Sequence, residues 1–280
     1  IADYPLPMTN RGASEGKPTR RRTTPLTAVE ADLAVAITPL RVRWAANAAL
    51  RPVSAATMRG IRAKAARLGL SAEEISKTAG AAIADVARAV AAARDPKRQL
   101  PIFILAGSDR DAVYGLEAAL ALSDGERRIV VALCGSKARP EHETAAGAWD
   151  RLESANRVER YRIPNMRESA HFRAGLEEVA VLIESLGGAP SNAAPEVPLL
   201  AGIDLLRRAR SAGVPCIAAN GPIGLDPDSG ARRRGAPGAD ISVLFHRPLT
   251  THQTAASKRL LGEVLVAPIG IPADADALAV

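Results

Sequence analysis

Seven short strand-like runs, the third of them weaker, spread from residue 101 to residue 267 and set the tightest limit on the fold. They are Pro101–Ala106 (PIFILA), Arg128–Cys134 (RIVVALC), Val158–Ile163, Val179–Ser185, Val214–Ala219, Ile241–Phe245 and Glu263–Ala267. Runs of this length, rich in Val and Ile and bounded by Gly, Pro and Asp, read as strands. Most are apolar throughout rather than alternating, so both faces of their sheet must be covered. Stretches with helical spacing lie between them, at Gly115–Leu122, Pro140–Ser154 and Pro198–Ala212. Strand–helix alternation of this kind predicts an α/β fold with a mainly parallel sheet.

The chain before the first strand divides in two. Residues 1–53 read as a flexible basic tail and an extended arm; residues 54–280 read as the folded domain. The tail, Ile1–Pro25, mixes Pro, Gly, Ser and Thr with Arg20, Arg21 and Arg22, a composition that orders only against a partner. The arm, Thr27–Asn47, has helical spacing in places and carries Trp44. Ser54–Ala93 reads as helix broken at Gly69-Leu70. Ser54 is a candidate N-cap, and Ser71 with Glu74 makes an S-x-x-E capping box. Ile75, Ala79, Ile83, Val86 and Val90 then form one apolar face at i, i+3, i+4 spacing.

The 280 residues carry a net charge of +7, with a pI near 9.9. That balance points to an acidic partner such as RNA. Aromatic residues make up only 3%, which argues against a base-stacking platform, so phosphate contacts are the expected mode. Arg20, Arg21, Arg22 and the loop run Arg232, Arg233, Arg234 are the candidates; a solvated charge cluster is the other reading of the second run. Cys134 and Cys216 are too few and too far apart for a disulfide framework and read as buried small hydrophobes. No apolar run reaches the roughly 18 residues of a membrane span. The chain opens on Ile1 rather than Met, as a fragment or a processed product would.

No familiar catalytic motif is present. GSDRDAVYG has the wrong glycines for G-x-G-x-x-G, Gly135-Ser136-Lys137 lacks the upstream glycine of a P-loop, and no G-x-S-x-G elbow occurs. His142, His171, His246 and His252 are scattered, and His142-Glu143 is not part of H-E-x-x-H. The stretch VPCIAANGPIGLDPDSG stands out. Asn220 follows an apolar strand and opens a Gly/Pro/Asp loop, at the strand end where open α/β sheets place their ligands. An ordinary strand-to-loop turn has the same pattern.

Four pieces in order resemble the YjeF N-terminal domain family, which includes NAD(P)H-hydrate epimerases and the C-terminal domain of the enhancer of mRNA decapping scaffold. They are LGLSAEEISKTAGAAIADV, IFILAGSDRDAVYGLEAALAL, VAVLIESLGG and VPCIAANGPIGLDPDSG, followed by GEVLVAPIGIP. The resemblance spans about residues 54–272. It implies a Rossmann-like three-layer α/β/α sandwich and a homodimer.

The departures from the family pattern shape the functional expectation. In the epimerases the first loop reads GNNGGDG; here it includes Arg110, Asp111, Ala112, Val113, Tyr114 and Gly115, whose side chains are expected to fill the phosphate space, with Asp111 repelling a phosphate. The family's active-site aspartate aligns with Asn220, and an amide does not exchange protons as an acid or base near neutrality. The family's potassium ligands fall on Asp111, Glu184 and Ile223, and isoleucine offers no side-chain oxygen, so no metal is expected. Gly107, Arg110, Asp111, Tyr114, Gly115, Glu184 and Asp226 are then a vestigial cofactor site, and no cofactor is expected. The reading that follows is a protein without enzymatic activity, a pseudoenzyme scaffold in mRNA decapping or decay, cytoplasmic and P-body-like, with RNA or ribonucleoprotein subunits as partners. Two alternatives remain: a structural protein of another ribonucleoprotein such as a mitochondrial ribosome, in the matrix; or an epimerase or nucleotide-binding protein with an altered site, lined by Asn220, Asp226, Asp109 and Glu184.

Overall fold

A computed structural model describes residues 28–173, 175–187 and 196–276. The tail with Arg20, Arg21 and Arg22 lies outside the described residues. Helix α1 (Ala28–Arg43) and the short α2 (Ala45–Ala48) come first, then α3 (Ala55–Arg67) and the long α4 (Ala72–Arg94). From there strands and helices alternate: β1 (Ile102–Ala106), α5 (Ala112–Leu122), β2 (Ile129–Leu133), α6 (Glu143–Arg151), β3 (Val158–Arg162), α7 (Met166–Ser169), β4 (Val181–Ser185) and α8 (Val197–Ser211). The chain continues through β5 (Cys216–Ala219), β6 (Ile241–Phe245), α9 (Ala255–Leu261), β7 (Glu263–Ala267) and α10 (Ala273–Asp276).

All seven strands join one parallel sheet in the order β3-β2-β1-β4-β5-β6-β7. The order reverses between β1 and β4, and the crevice at that switch point is where such sheets bind ligands. Side chains alternate between two cores. Ile102, Ile104, Ile129, Val131, Val181 and Ile183 face α1, α4, α5 and α6. Phe103, Leu105, Ala132, Leu182 and Cys216 face α8. The result is a three-layer α/β sandwich, as the apolar runs required.

Local sequence explains the elements that frame the site. The Ser71 Oγ accepts the Glu74 N–H at 3.1 Å, and the Glu74 carboxylate accepts the Ser71 N–H at 2.8 Å, closing the expected capping box. The Ser54 Oγ caps α3 by accepting the Thr57 N–H at 3.0 Å. Helix α5 starts at Ala112 rather than Gly115. The Asp109 carboxylate accepts the Asp111 N–H at 3.1 Å and the Asp109 carbonyl accepts the Ala112 N–H at 3.3 Å, which begins the turn three residues early. Helix α6 is shorter than Pro140–Ser154 and passes into a 3₁₀ turn at Leu152–Ser154. Helix α1 lies before residue 54 yet shares the main core, through Leu33, Ile37 and Leu40, with Trp44 beyond its end.

Candidate functional site

The loop from β1 to α5 is pinned to the end of β4. A β-carbon on Gly107 would collide with the Leu186 carbonyl, and one on Gly115 would sit 2.6 Å from the Ser185 Cβ, so both positions require glycine. The Ser185 hydroxyl accepts the Gly115 N–H at 3.0 Å and donates to the Asp111 carbonyl at 2.7 Å. These bonds hold Asp111 at the first turn of α5, beside Asn220. The Asn220 side chain is hydrogen-bonded to the Asp111 carboxylate. Asn220 itself ends β5 with φ of 64°, a left-handed conformation that asparagine tolerates better than most side chains.

Three carboxyl groups converge here. Burial raises the pKa of Asp111, against the pull of Arg110 and Arg62. Asp109 is raised too, by desolvation and then by the Asp111 charge, although part of it reaches water. Glu184, 2% exposed in the middle of β4, is pushed up to about 8, mainly by burial. The Ile223 backbone N–H donates to its Oε1 at 2.8 Å, while its Oε2 is buried without a partner. The positions equivalent to the family's potassium ligands do not fit the ion: Ile223 is apolar and directs its N–H at Glu184. Among the described residues no three His, Cys, Asp or Glu side chains form a metal cluster.

In front of the loop lies a cavity of about 450 Å³, within the range of small-molecule sites. Arg110, Asp111, Tyr114 and Asn220 line it; Gly107, Gly115 and Glu184 stand behind them. The expectation that side chains fill this space is corrected. Arg110, Asp111, Val113 and Tyr114 line an open space instead of filling it, with the Tyr114 ring tilted against Phe245, 4.8 Å between centres. Asp226 does not line the cavity; its Oδ1 accepts the Asp228 and Ser229 N–H groups at 2.9 and 2.8 Å and so shapes its own loop.

Several lining residues escape a reading of the sequence. Arg59 and Arg62 lie one turn apart on α3, beside its buried stripe of Met58, Ile61 and Ala65. Arg62 donates to the Tyr114 hydroxyl at 2.9 Å, and its Nε is buried without a partner. Arg59 pairs with Asp228 at 2.9 Å. His142 lines the wall with a buried, unpartnered Nδ1. His252, also lining, has its pKa lowered by burial to about 4 and is neutral. The i, i+3 spacing of Arg59 and Arg62 marks only the polar face of α3; the fold is what turns that face to the cavity. Arg232, Arg233 and Arg234 lie further along the loop that Asn220 opens and do not line this cavity.

Fold and site together define a parallel α/β protein with a small-molecule cavity at its switch point, flanked by arginines and ionisable carboxyls. The family model described as YjeF-related protein N-terminus matches residues 72–251, and the chain belongs to that family. A segment of 62 residues is 40% identical to a bifunctional NAD(P)H-hydrate repair enzyme Nnr from Pyrobaculum aerophilum. That segment is 22% of this chain and only 12% of the relative's length. Among solved structures, yeast ynu0 overlays with a TM-score of 0.57 at 17% identity, covering 71% of this chain and 82% of that one, a likeness of fold.

The expectation of a protein without enzymatic activity is overturned by these relatives, because the matched segment belongs to a repair enzyme. Asn220, Asp111 and His142 all line the cavity. No helix among the described residues is long and apolar enough to cross a membrane.

Proposed function

We propose that the chain is an enzyme of the NAD(P)H-hydrate epimerase type, with Asp111 as the proton carrier that Asn220 cannot be. The observation that carries this reading is the Asp111 carboxyl. It lines the cavity, it is bonded to Asn220, and burial raises its pKa, which favours the protonated form that can donate. A hydrated nicotinamide bears a hydroxyl on a carbon bonded to the ring nitrogen. Its epimers interconvert when that hydroxyl leaves as water, the nitrogen supplying the electron pair, and water returns to the other face. Protonated Asp111 gives the proton to the departing hydroxyl, and its carboxylate takes one back from the returning water. The proton balance closes.

The remaining lining residues suit such a substrate. Arg62 and Arg110 present positive charge to a pyrophosphate, and Met58, Leu70, Ile75 and Leu249 offer an apolar wall to a ring. The name of the repair-enzyme relative supports the substrate class. The test is incubation with separated epimers of hydrated NADPH or NADH. The wild-type chain is expected to speed equilibration, and Asp111→Asn to reduce the rate by about 100-fold or more, with Asn220→Ala losing less. A wild-type chain that leaves the epimers at the uncatalysed rate would sink the proposal.

Assembly on RNA, in decapping or in a ribosome, is supported by the net charge of +7 alone. It does not account for buried carboxyls around an open cavity, so it stands only as an addition to the enzyme reading. RNA retention that weakens steeply with salt would favour it.

A further inference from the structure

The loop that carries Asn220 has a second face. Between Pro222 and Pro237 it folds back on itself, with Leu225 bridged to Arg232 and the Arg233 N–H donating to the Gly224 carbonyl at 2.8 Å. Its back encloses, with α8, a groove of about 220 Å³. Leu200, Ile203, Ile223 and Pro237 form the apolar floor, and Arg207 and Arg234 stand over it. The Gly235 carbonyl accepts from the Arg207 Nε at 3.2 Å and Nη2 at 2.7 Å, which fixes that guanidinium at the rim.

Among the described residues no aspartate or glutamate lines the groove. The neighbouring arginines of α8 differ: Arg208 pairs with Asp204 at 2.8 Å and Arg210 with Asp240 at 3.1 Å. Among the described residues Arg207 and Arg234 have no carboxylate partner, so the rim is left positive. Guanidinium forks match the paired oxygens of carboxylates and phosphates. The apolar floor adds a second requirement that a bare ion or a sugar-phosphate backbone does not meet. The groove is smaller than the roughly 300 Å³ at which drug-sized sites begin, so its ligand is small.

We propose that this groove binds a small organic anion, a carboxylate or phosphate borne on a short apolar group, between Arg207 and Arg234. The site is independent of the front cavity and of the reaction assigned there. It is tested by titrating phenyl phosphate into the full chain by calorimetry, with inorganic phosphate and a single-stranded oligouridylate as parallel arms. Phenyl phosphate is expected to bind about tenfold or more tighter than inorganic phosphate. Arg207→Gln with Arg234→Gln weakens it by about tenfold or more, since each removes a charged hydrogen-bond donor, whereas Arg208→Gln leaves it unchanged. Circular dichroism and thermal melts verify that the double variant is folded. Absence of phenyl phosphate binding overturns the proposal, as does equal affinity in wild type and double variant. Binding lost in Arg62→Gln but kept in the double variant also overturns it, because it belongs to the front cavity. So does oligouridylate binding that the double variant loses while phenyl phosphate is ignored, which would assign these arginines to a phosphate backbone.

Discussion

Replacing Glu184 by glutamine is expected to stabilise the protein above neutral pH and to leave it nearly unchanged in mild acid. The wild-type carboxyl is fully buried, accepts one N–H from Ile223, and titrates near 8 instead of its ordinary 4.5. A carboxyl raised by folding binds its proton more tightly in the native state than in the unfolded one. Its contribution to stability is therefore complete below about pH 4.5 and is lost as pH rises toward 8. The difference of about 3.5 pH units corresponds to roughly 5 kcal/mol, at 1.36 kcal/mol per unit, as an upper figure before relaxation. Glutamine keeps the acceptor for Ile223 and never ionises, so the variant escapes this loss. The assay is urea unfolding of both proteins from pH 5 to pH 9. The two are expected to be close at pH 5, and the variant more stable by several kcal/mol at pH 9. Parallel curves across the whole range, or a variant weaker at pH 9, would refute the idea that Glu184 is held protonated.

Two further substitutions probe the frame of the site. Gly115→Ala places a methyl 2.6 Å from the Ser185 Cβ and disturbs the bond that holds Asp111; a loss of about 1–3 kcal/mol is expected, read as a lower urea midpoint. Asp276→Asn breaks a buried pair with Arg247, whose Nη2 lies 2.5 Å from the Asp276 Oδ2, and leaves the guanidinium uncompensated; about 3–5 kcal/mol is expected to go, read by thermal melting.

The sheet was legible because its signal is local. Each apolar run carries its own β-branched residues and its own flanking breakers, so all seven became strands. The boundary of α5 was not, because the helix start depends on an Asp109 side chain bonding two residues ahead, and the same four letters also suit a longer loop. Asn220 was found by its place after a strand, and Arg110, Asp111 and Tyr114 by the resemblance of their loop to the family's first loop. Arg62 and His142 were missed because the fold, not the spacing, brings them in. His142 comes beside the β1–α5 loop only because Ser108 accepts the Glu141 N–H at its carbonyl and its Oγ, at 2.9 and 3.1 Å. Glu184 did carry a local signal, a lone acid inside the apolar run VLIES, which marks either a buried charge with a task or a protonated one.

If the proposed substrate is right, a site with three acids must admit an anion. The Asp111 charge raises the pKa of both Asp109 and Glu184, and burial, the larger cause, pushes Glu184 up to about 8, so that Glu184 holds its proton at neutrality. Glu184 is the deepest and the most strongly raised, so it keeps its proton first. Asp111, which lines the cavity, is flanked by Arg62 and Arg110 and bonded to an amide rather than to another acid. An aspartate at 220 would set a fourth acid against it. Asparagine there donates to Asp111 and adds no charge, so on the proposed reading it leaves the neighbouring carboxyl compatible with a phosphate held by the arginines.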